Sequence, residues 1–250
     1  AHEIGTKAET LQRLAARLTR SDVPRLLYWT VREWQAHRAE ILAVAMATFG
    51  QRVAVRSATR YEDRPNQYLA GHYRTELGVV PEAAPLGRAI ERVIASYGEE
   101  AADHHVLVQA MVDDARRSGV VLTRDPATGA AYDVIELDEG RDTDAVTGGW
   151  GRPLRVAIHR DADPEAVARS GLGAIVVATR EIESLSAAGA LDLEMVERGN
   201  GTIALVQVRW LALLDPEVAA RDRVIAARLA RLAVRVETLA RPSPRIAGAT

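Results

Sequence analysis

Arg56 and Ser57 stand at the end of a short apolar run, Val53-Ala54-Val55, that reads as a strand delivering them to a turn. A polar segment with Glu62, Asp63 and Pro65 follows, and then Ala70-Gly71-His72. A strand ending in a basic residue, followed by a loop with glycine and hydroxyls, presents donors to phosphate oxygens. Lys7 is a second candidate. Among 32 Lys and Arg residues it is the single lysine, and it follows Gly5-Thr6 before a helical pattern. A site that needs a compact ammonium does not accept a guanidinium freely. The third group lies far along the chain. Asp192 and Glu194 alternate with Leu193, so both carboxylates face one side of a strand, and Gln207 and Arg209 share a face two residues apart. Carboxylate and amide oxygens gathered this way suit Mg²⁺, a hard cation that shares its coordination with phosphate oxygens. Each group also has a plainer reading: an ordinary polar loop, a solvated helix start, a solvated hairpin with salt bridges.

These residues need elements to hold them. Residues 4–19 read as a loop entering a helix, with Leu11, Leu14 and Leu18 at helical spacing, and 28–48 read as a second helix with Trp29, Val31, Trp34, Ile41, Leu42 and Met46 inside. Ile90, Val93, Ile94 and Tyr97 mark a helical face in 86–97. Strands are expected at 106–112, 119–129 and 132–137, with Asp125-Pro126 and Thr128-Gly129 as turn chemistry. His104 and His105 precede the first of these; neighbours on a strand point to opposite faces, so they read as surface or edge residues rather than a chelating pair. A strand at 154–158, helix at 164–187 interrupted near Gly171-Leu172-Gly173, and a hairpin at 190–209 around Gly199-Asn200-Gly201 complete the body. Residues 215–240 form an amphipathic helix, with Ile225, Leu229, Leu232, Val236 and Leu239 stepping by four and three, expected to dock on its own domain.

Composition narrows the classes. A chain of 250 residues suffices for one large domain or two lobes sharing a cleft. Net charge of −2 gives no electrostatic case for nucleic acid or an anionic membrane. No apolar run reaches the ~20 residues that span a bilayer, and the first residues lack the basic and apolar regions of a secretion signal. The start at Ala1, without an initiator methionine, suggests a trimmed or engineered end. The absence of cysteine excludes disulfides, thiolate metal sites and a Cys nucleophile. A cytoplasmic protein is the expectation.

The residues around Arg56 resemble the strand and phosphate loop of the pyruvate phosphate dikinase and phosphoenolpyruvate synthase N-terminal domain, a group that includes rifampin phosphotransferases. That pattern runs V-R-S-S-A-x-x-E-D-x-P-x-x-S-F-A-G; Val55, Arg56, Ser57, Glu62, Asp63, Pro65, Ala70 and Gly71 match it without a gap. Gly5, Lys7 and Leu11 resemble its opening G-G-K-x-x-x-L. Gln109, Met111, Val112, Gly119, Thr123, Asp125, Pro126, Thr128, Gly129, Ile135 and Glu136 coincide with V-x-V-Q-x-M-V, G-V-x-F-T-x-D-P-x-T-G and V-I-E. Asp192, Glu194, Gln207 and Arg209 fit D-I-E and L-Q-x-R-P, with one extra turn residue and Trp210 in place of proline. The resemblance covers roughly 5–210. It departs after Glu136, where S-x-G-L-G-E is missing and only Val146-Thr147-Gly148 resembles the following turn, and at Ala58-Thr59 and Tyr68-Leu69.

The resemblance implies an α+β ATP-grasp fold, two lobes with the nucleotide cleft between them. The expected division is an N-terminal lobe with the phosphate-binding loop at 1–105, a C-terminal ATP-grasp lobe at 106–212, and a helix and tail at 213–250. It implies an ATP-dependent phosphotransferase in which Lys7, Arg56 and Arg209 act catalytically on phosphates. Gly71 and Thr75 would approach them, Gln109 and Met111 would line the adenine pocket, and Glu194, Gln207 and Asp192 would serve Mg²⁺. Met111 can equally be ordinary core. In the family the phosphoryl group passes to a histidine in a G-G-x-T-S-H-type motif on a swivelling domain. None of His2, His37, His72, His104, His105 and His159 has that context. The acceptor is therefore expected on another chain, on another part of the gene product, or on a small molecule. The alternatives are a stand-alone ATP-grasp small-molecule kinase or ligase, and a non-catalytic nucleotide-binding or scaffolding domain.

Overall fold

The computed structural model describes residues 6–59, 73–98, 101–138, 154–186, 189–211, 213 and 218–240. Two sheets organise them. The smaller comprises β2 (Leu26–Thr30), β3 (Val53–Ala58), β4 (Thr75–Val79) and β5 (His105–Ala110), in the order β2-β5-β3-β4. The larger comprises β1 (Ser21–Asp22), β6 (Ala115–Leu122), β7 (Tyr132–Asp138), β8 (Leu154–His159), β9 (Leu191–Arg198) and β10 (Ile203–Trp210), in the order β1-β10-β9-β6-β7-β8.

Each sheet has its own helices. On the smaller one pack α2 (Val31–Thr48) and α3 (Ala83–Ala95). Leu86, Ala89, Ile90 and Val93 recur at helical spacing on α3 and are all fully buried, against Val53, Val55, Val106 and Val108. Burying each Leu, Ile or Val contributes about 1.5–3 kcal/mol. The larger sheet is covered by α1 (Lys7–Ala15), the short α4 (Pro164–Arg169) and α5 (Gly173–Leu185), with Leu11, Ile175, Ile182, Leu191, Leu193 and Leu205 in its core. The helical break near Gly171 separates α4 from α5 as the sequence indicates, and Gly171 takes a φ of +74° there. Gly119 on β6 is required by space. A Cβ at that position would lie 2.0 Å from the Glu136 carbonyl oxygen of the neighbouring β7.

Four expectations change. Leu26–Thr30 is a strand, so the helix expected from 28 begins at Val31, where Thr30 and Glu33 close a capping box. His104 and His105 are 6% and 9% exposed rather than at the surface: the His104 ring packs edge-on to Tyr97 and the His105 ring edge-on to Tyr28. β5 belongs to the smaller sheet, so the sheets divide between Ala110 and Ala115 rather than at 105/106, and α1 and β1 pack with the larger sheet. Finally α6 (Val218–Ala240) forms, but Ile225, Leu229, Leu232 and Val236 are each more than half exposed, so its described apolar stripe is not docked on the domain.

Candidate functional site

The inner faces of the two sheets line a cavity that is partly open to solvent. Ala54, Arg56 and Gln109 approach from the smaller sheet, and Ser118, Gly119 and Glu194 from the larger. Met111 and Val112 close one end, where the chain leaves β5 for β6. The Met111 sulfur lies 3.0 Å from the Gly78 backbone nitrogen. Polar atoms in this wall lack partners among the described residues: Arg56 Nε, Gln109 Nε2 and Ser118 Oγ are all buried without a hydrogen bond. Buried polar groups are normally satisfied, so three unpartnered atoms on facing sides of one cavity mark places where a ligand's polar groups can bind.

At one end of the cavity the hairpin carboxylates meet the strand arginine. Arg56 Nη1 donates to Glu194 Oε2 at 3.0 Å and to Gln207 Oε1 at 3.3 Å. Arg209 Nε donates to Asp192 Oδ2 at 2.7 Å, and its Nη2 lies 3.9 Å from Glu194 Oε1. Asp192 Oδ1 is buried without a hydrogen-bond partner among the described residues. This meeting depends on a bulge. Up to Leu205, β10 pairs with β9 in simple register, Leu205 opposite Met195. A one-residue irregularity at Val206 then brings Gln207 opposite Glu194 and Arg209 opposite Asp192. Without it Gln207 would stand opposite Leu193, whose side chain lies in the core.

The electrostatics follow from burial and pairing. Burial pushes the Glu194 carboxyl up, but Arg56 and Arg209 together hold it below its ordinary value, with Lys7 adding to the pull. Asp192 goes the other way: burial raises it, and Arg209 offsets that only in part. Lys7 is thus close enough to act on both carboxylates, and it is itself only 7% exposed. It opens α1, whose start is fixed by a capping box between Thr6 and Glu9. Thr6 Oγ1 also lies 3.4 Å from His105 Nδ1.

Residues 7–170 match the pyruvate phosphate dikinase AMP/ATP-binding domain family. The chain belongs to this family. No curated protein matches it. Among solved structures it is similar to PH1788 from Pyrococcus horikoshii Ot3, at 12% identity and a TM-score of 0.51, covering 82% of this chain and 88% of that one. It is also similar to D-alanyl-alanine synthetase A from Vibrio cholerae, at 14% identity and a TM-score of 0.48, covering 81% of this chain and 54% of that one. A third is the VanG D-Ala:D-Ser ligase from Enterococcus faecalis, at 16% identity and a TM-score of 0.43, covering 82% and 51%. The chain therefore spans about half the length of the last two. The fold is α+β and ATP-grasp, two sheets around a cleft.

For a member of an AMP/ATP-binding family, the wall residues suit their ligand: an amide donor, a hydroxyl and a guanidinium N–H await acceptors in one cavity. A divalent cation also finds oxygens, though not a dense acidic cluster; among the described residues no group of three His, Cys, Asp or Glu could hold a metal. Two carboxylates and one amide oxygen suit Mg²⁺, which completes its shell with water and phosphate oxygens. Of the expected site residues, Lys7, Arg56, Gln109, Met111, Asp192, Glu194, Gln207 and Arg209 lie at the cavity or its charged end. Thr75 is exposed at the start of β4 and is not in the cavity wall. Gly71 lies outside the described residues. Ser118 escaped the sequence reading. Its signal was slight: a small polar residue between Arg116-Arg117 and Gly119. No helix among the described residues is long and apolar enough to cross a membrane.

Proposed function

We propose that this chain binds Mg-ATP in the inter-sheet cleft and delivers a phosphoryl group to an acceptor outside it, a histidine on a separate domain or chain. One observation carries the reading. Arg56, Glu194, Gln207, Asp192 and Arg209 converge at the end of a cavity whose wall holds unpartnered Gln109, Ser118 and Arg56 atoms. Family membership supports the ATP part, and the phosphotransferase character of the resembled enzymes supports the transfer.

In this reading Gln109 and Ser118 bind the base end, with Met111 packed beside it. Lys7, Arg56 and Arg209 orient the phosphates and neutralise charge that grows as the phosphoryl group leaves. Glu194 and Gln207 would hold Mg²⁺, and Asp192 steadies Arg209. When bound, Mg²⁺ would offset the negative charge of the phosphates. The chain's work is mainly positioning and electrostatics, as phosphoryl transfer requires.

Glu194→Gln tests the site. It keeps size and hydrogen bonding but removes the charge that would hold the metal. Calorimetric titration should find nucleotide binding without Mg²⁺ largely kept and the Mg²⁺-dependent gain in affinity largely gone. The same metal-dependent gain in variant and parent would make Glu194 a structural carboxylate only. Product analysis with an added acceptor separates the reaction types: AMP plus phosphate fits transfer of the dikinase kind, while ADP with a soluble acceptor fits a small-molecule kinase or ligase.

A further inference from the structure

We propose that Arg56 keeps the oxygens of Glu194 and Gln207 closed to a bare divalent cation and releases them only when a polyphosphate draws its guanidinium away. The inference rests on the Mg-ATP reading above and adds an order of binding at that site.

One nitrogen carries the geometry. Arg56 Nη1 lies 3.0 Å from Glu194 Oε2 and 3.3 Å from Gln207 Oε1, so it stands at the position from which a single cation would contact both. Mg²⁺ needs its oxygens at about 2.0–2.1 Å. A guanidinium N–H and a metal cannot share that point. The remaining carboxylate oxygens are also engaged or buried: Arg209 holds Asp192 Oδ2 at 2.7 Å and faces Glu194 Oε1 at 3.9 Å. The Arg56–Glu194 pair is poorly screened, with side chains 12% and 17% exposed. A dication must therefore displace a well-formed, nearly dry ion pair.

Charge balance points the same way. Lys7 and Arg209 act on both Asp192 and Glu194, and Arg56 acts on Glu194. A bare dication meets these cations at close range, where repulsion is strong at low dielectric. A polyphosphate reverses this. It brings several negative charges and acceptors that guanidinium groups bind in bidentate fashion. Arg56 also has something to gain by moving, because its Nε is buried without a hydrogen-bond partner among the described residues. Once Arg56 turns to phosphate, Glu194 and Gln207 are left with open lone pairs beside the phosphate oxygens. Metal and polyphosphate then bind cooperatively, and by linkage each raises the affinity for the other.

Mn²⁺ is the probe, followed by its paramagnetic resonance signal, with no nucleotide present. The parent protein should take up no stoichiometric Mn²⁺ alone and should retain it when a non-hydrolysable ATP analogue is added. Arg56→Gln removes the guardian charge and should bind Mn²⁺ alone about 5- to 150-fold more tightly than the parent, the usual span of such couplings. Mn²⁺ alone should also raise the melting temperature of that variant and leave the parent unmoved. Stoichiometric Mn²⁺ binding by the parent without nucleotide overturns the proposal, whether or not the variant folds. Equal Mn²⁺ affinity in parent and variant overturns it too. Mg-ATP titration of the same parent sample separates the two levels: binding of Mg-ATP together with bare Mn²⁺ defeats only the gating, and no Mg-ATP binding defeats the functional reading itself.

Discussion

Lys7 shows how much a single residue type can say. Its rarity and its Gly-x-Lys setting were visible in the sequence, and the structure places it, 7% exposed, at the first turn of α1 within electrostatic reach of Asp192 and Glu194. Lys7→Ala should weaken ATP binding by about 1–3 kcal/mol, the range for charge-assisted hydrogen bonds. Calorimetry on a variant shown by circular dichroism to be folded measures this, and an unchanged affinity removes Lys7 from the site. His105 shows the opposite. Alternation along a strand describes how His104 and His105 point relative to each other, but not that Tyr97 and Tyr28 pack against their rings. A histidine's burial depends on what packs beside its strand, which no local pattern contains.

At the scale of elements, the hairpin turn and the break between two helices were legible because their signals are local. The Gly199-Asn200-Gly201 turn and the break before Gly173 stand where expected. The bulge at Val206 was not legible, since nothing in Ile203–Trp210 distinguishes a strand that slips by one residue from one that does not. A second unread feature joins β7 to α5. Asp133 on β7 is fully buried and accepts two hydrogen bonds from Arg180 of α5, at 2.6 and 3.2 Å. Glu183 binds both Arg180 and Arg160, the latter twice at 2.8 Å. Burial pushes the Asp133 carboxyl up to about 6 from an ordinary 3.8, against the pull of Arg180 and Arg160 and with a further push from Glu183. The folded value lies above the unfolded one, so the folded chain holds a proton that unfolding releases. The stability this contributes is complete below the unfolded value and is lost as pH rises through the folded one. The gap between the two corresponds to roughly 3 kcal/mol. Between about pH 4 and about pH 7 the parent should lose roughly that much more stability than Asp133→Asn. Urea denaturation at both pH values measures it; parallel losses in the two proteins would show that Asp133 is already ionised in the folded chain at low pH.

The whole molecule is two cores joined across a cleft. The smaller sheet with α2 and α3 forms one, the larger sheet with α1, α4 and α5 the other, and Ala58 and Leu107 reach from the smaller sheet into the second core. The chain passes between the sheets at Met111–Asp114, held by Met111 N–H to the Arg52 carbonyl at 3.0 Å and by Gln51 to the Met111 carbonyl at 2.8 Å. The sequence identified both lobes through family resemblance but put their division too early, because β5 reads the same whichever sheet it joins. A ligand in the cavity touches both sheets at once, so its binding should be felt in both. Hydrogen exchange with and without Mg-ATP should show added protection in β3 and β5 of the smaller sheet and in β6 and β9 of the larger. β8, at the far edge of the larger sheet and away from the cavity wall, should change little. At a ligand concentration of 100 times Kd the folded state should gain about 2.7 kcal/mol, seen as a rise in Tm. Protection confined to one sheet would place the nucleotide outside the cleft, since no pose between Gln109 and Ser118 can contact one wall and leave the other untouched.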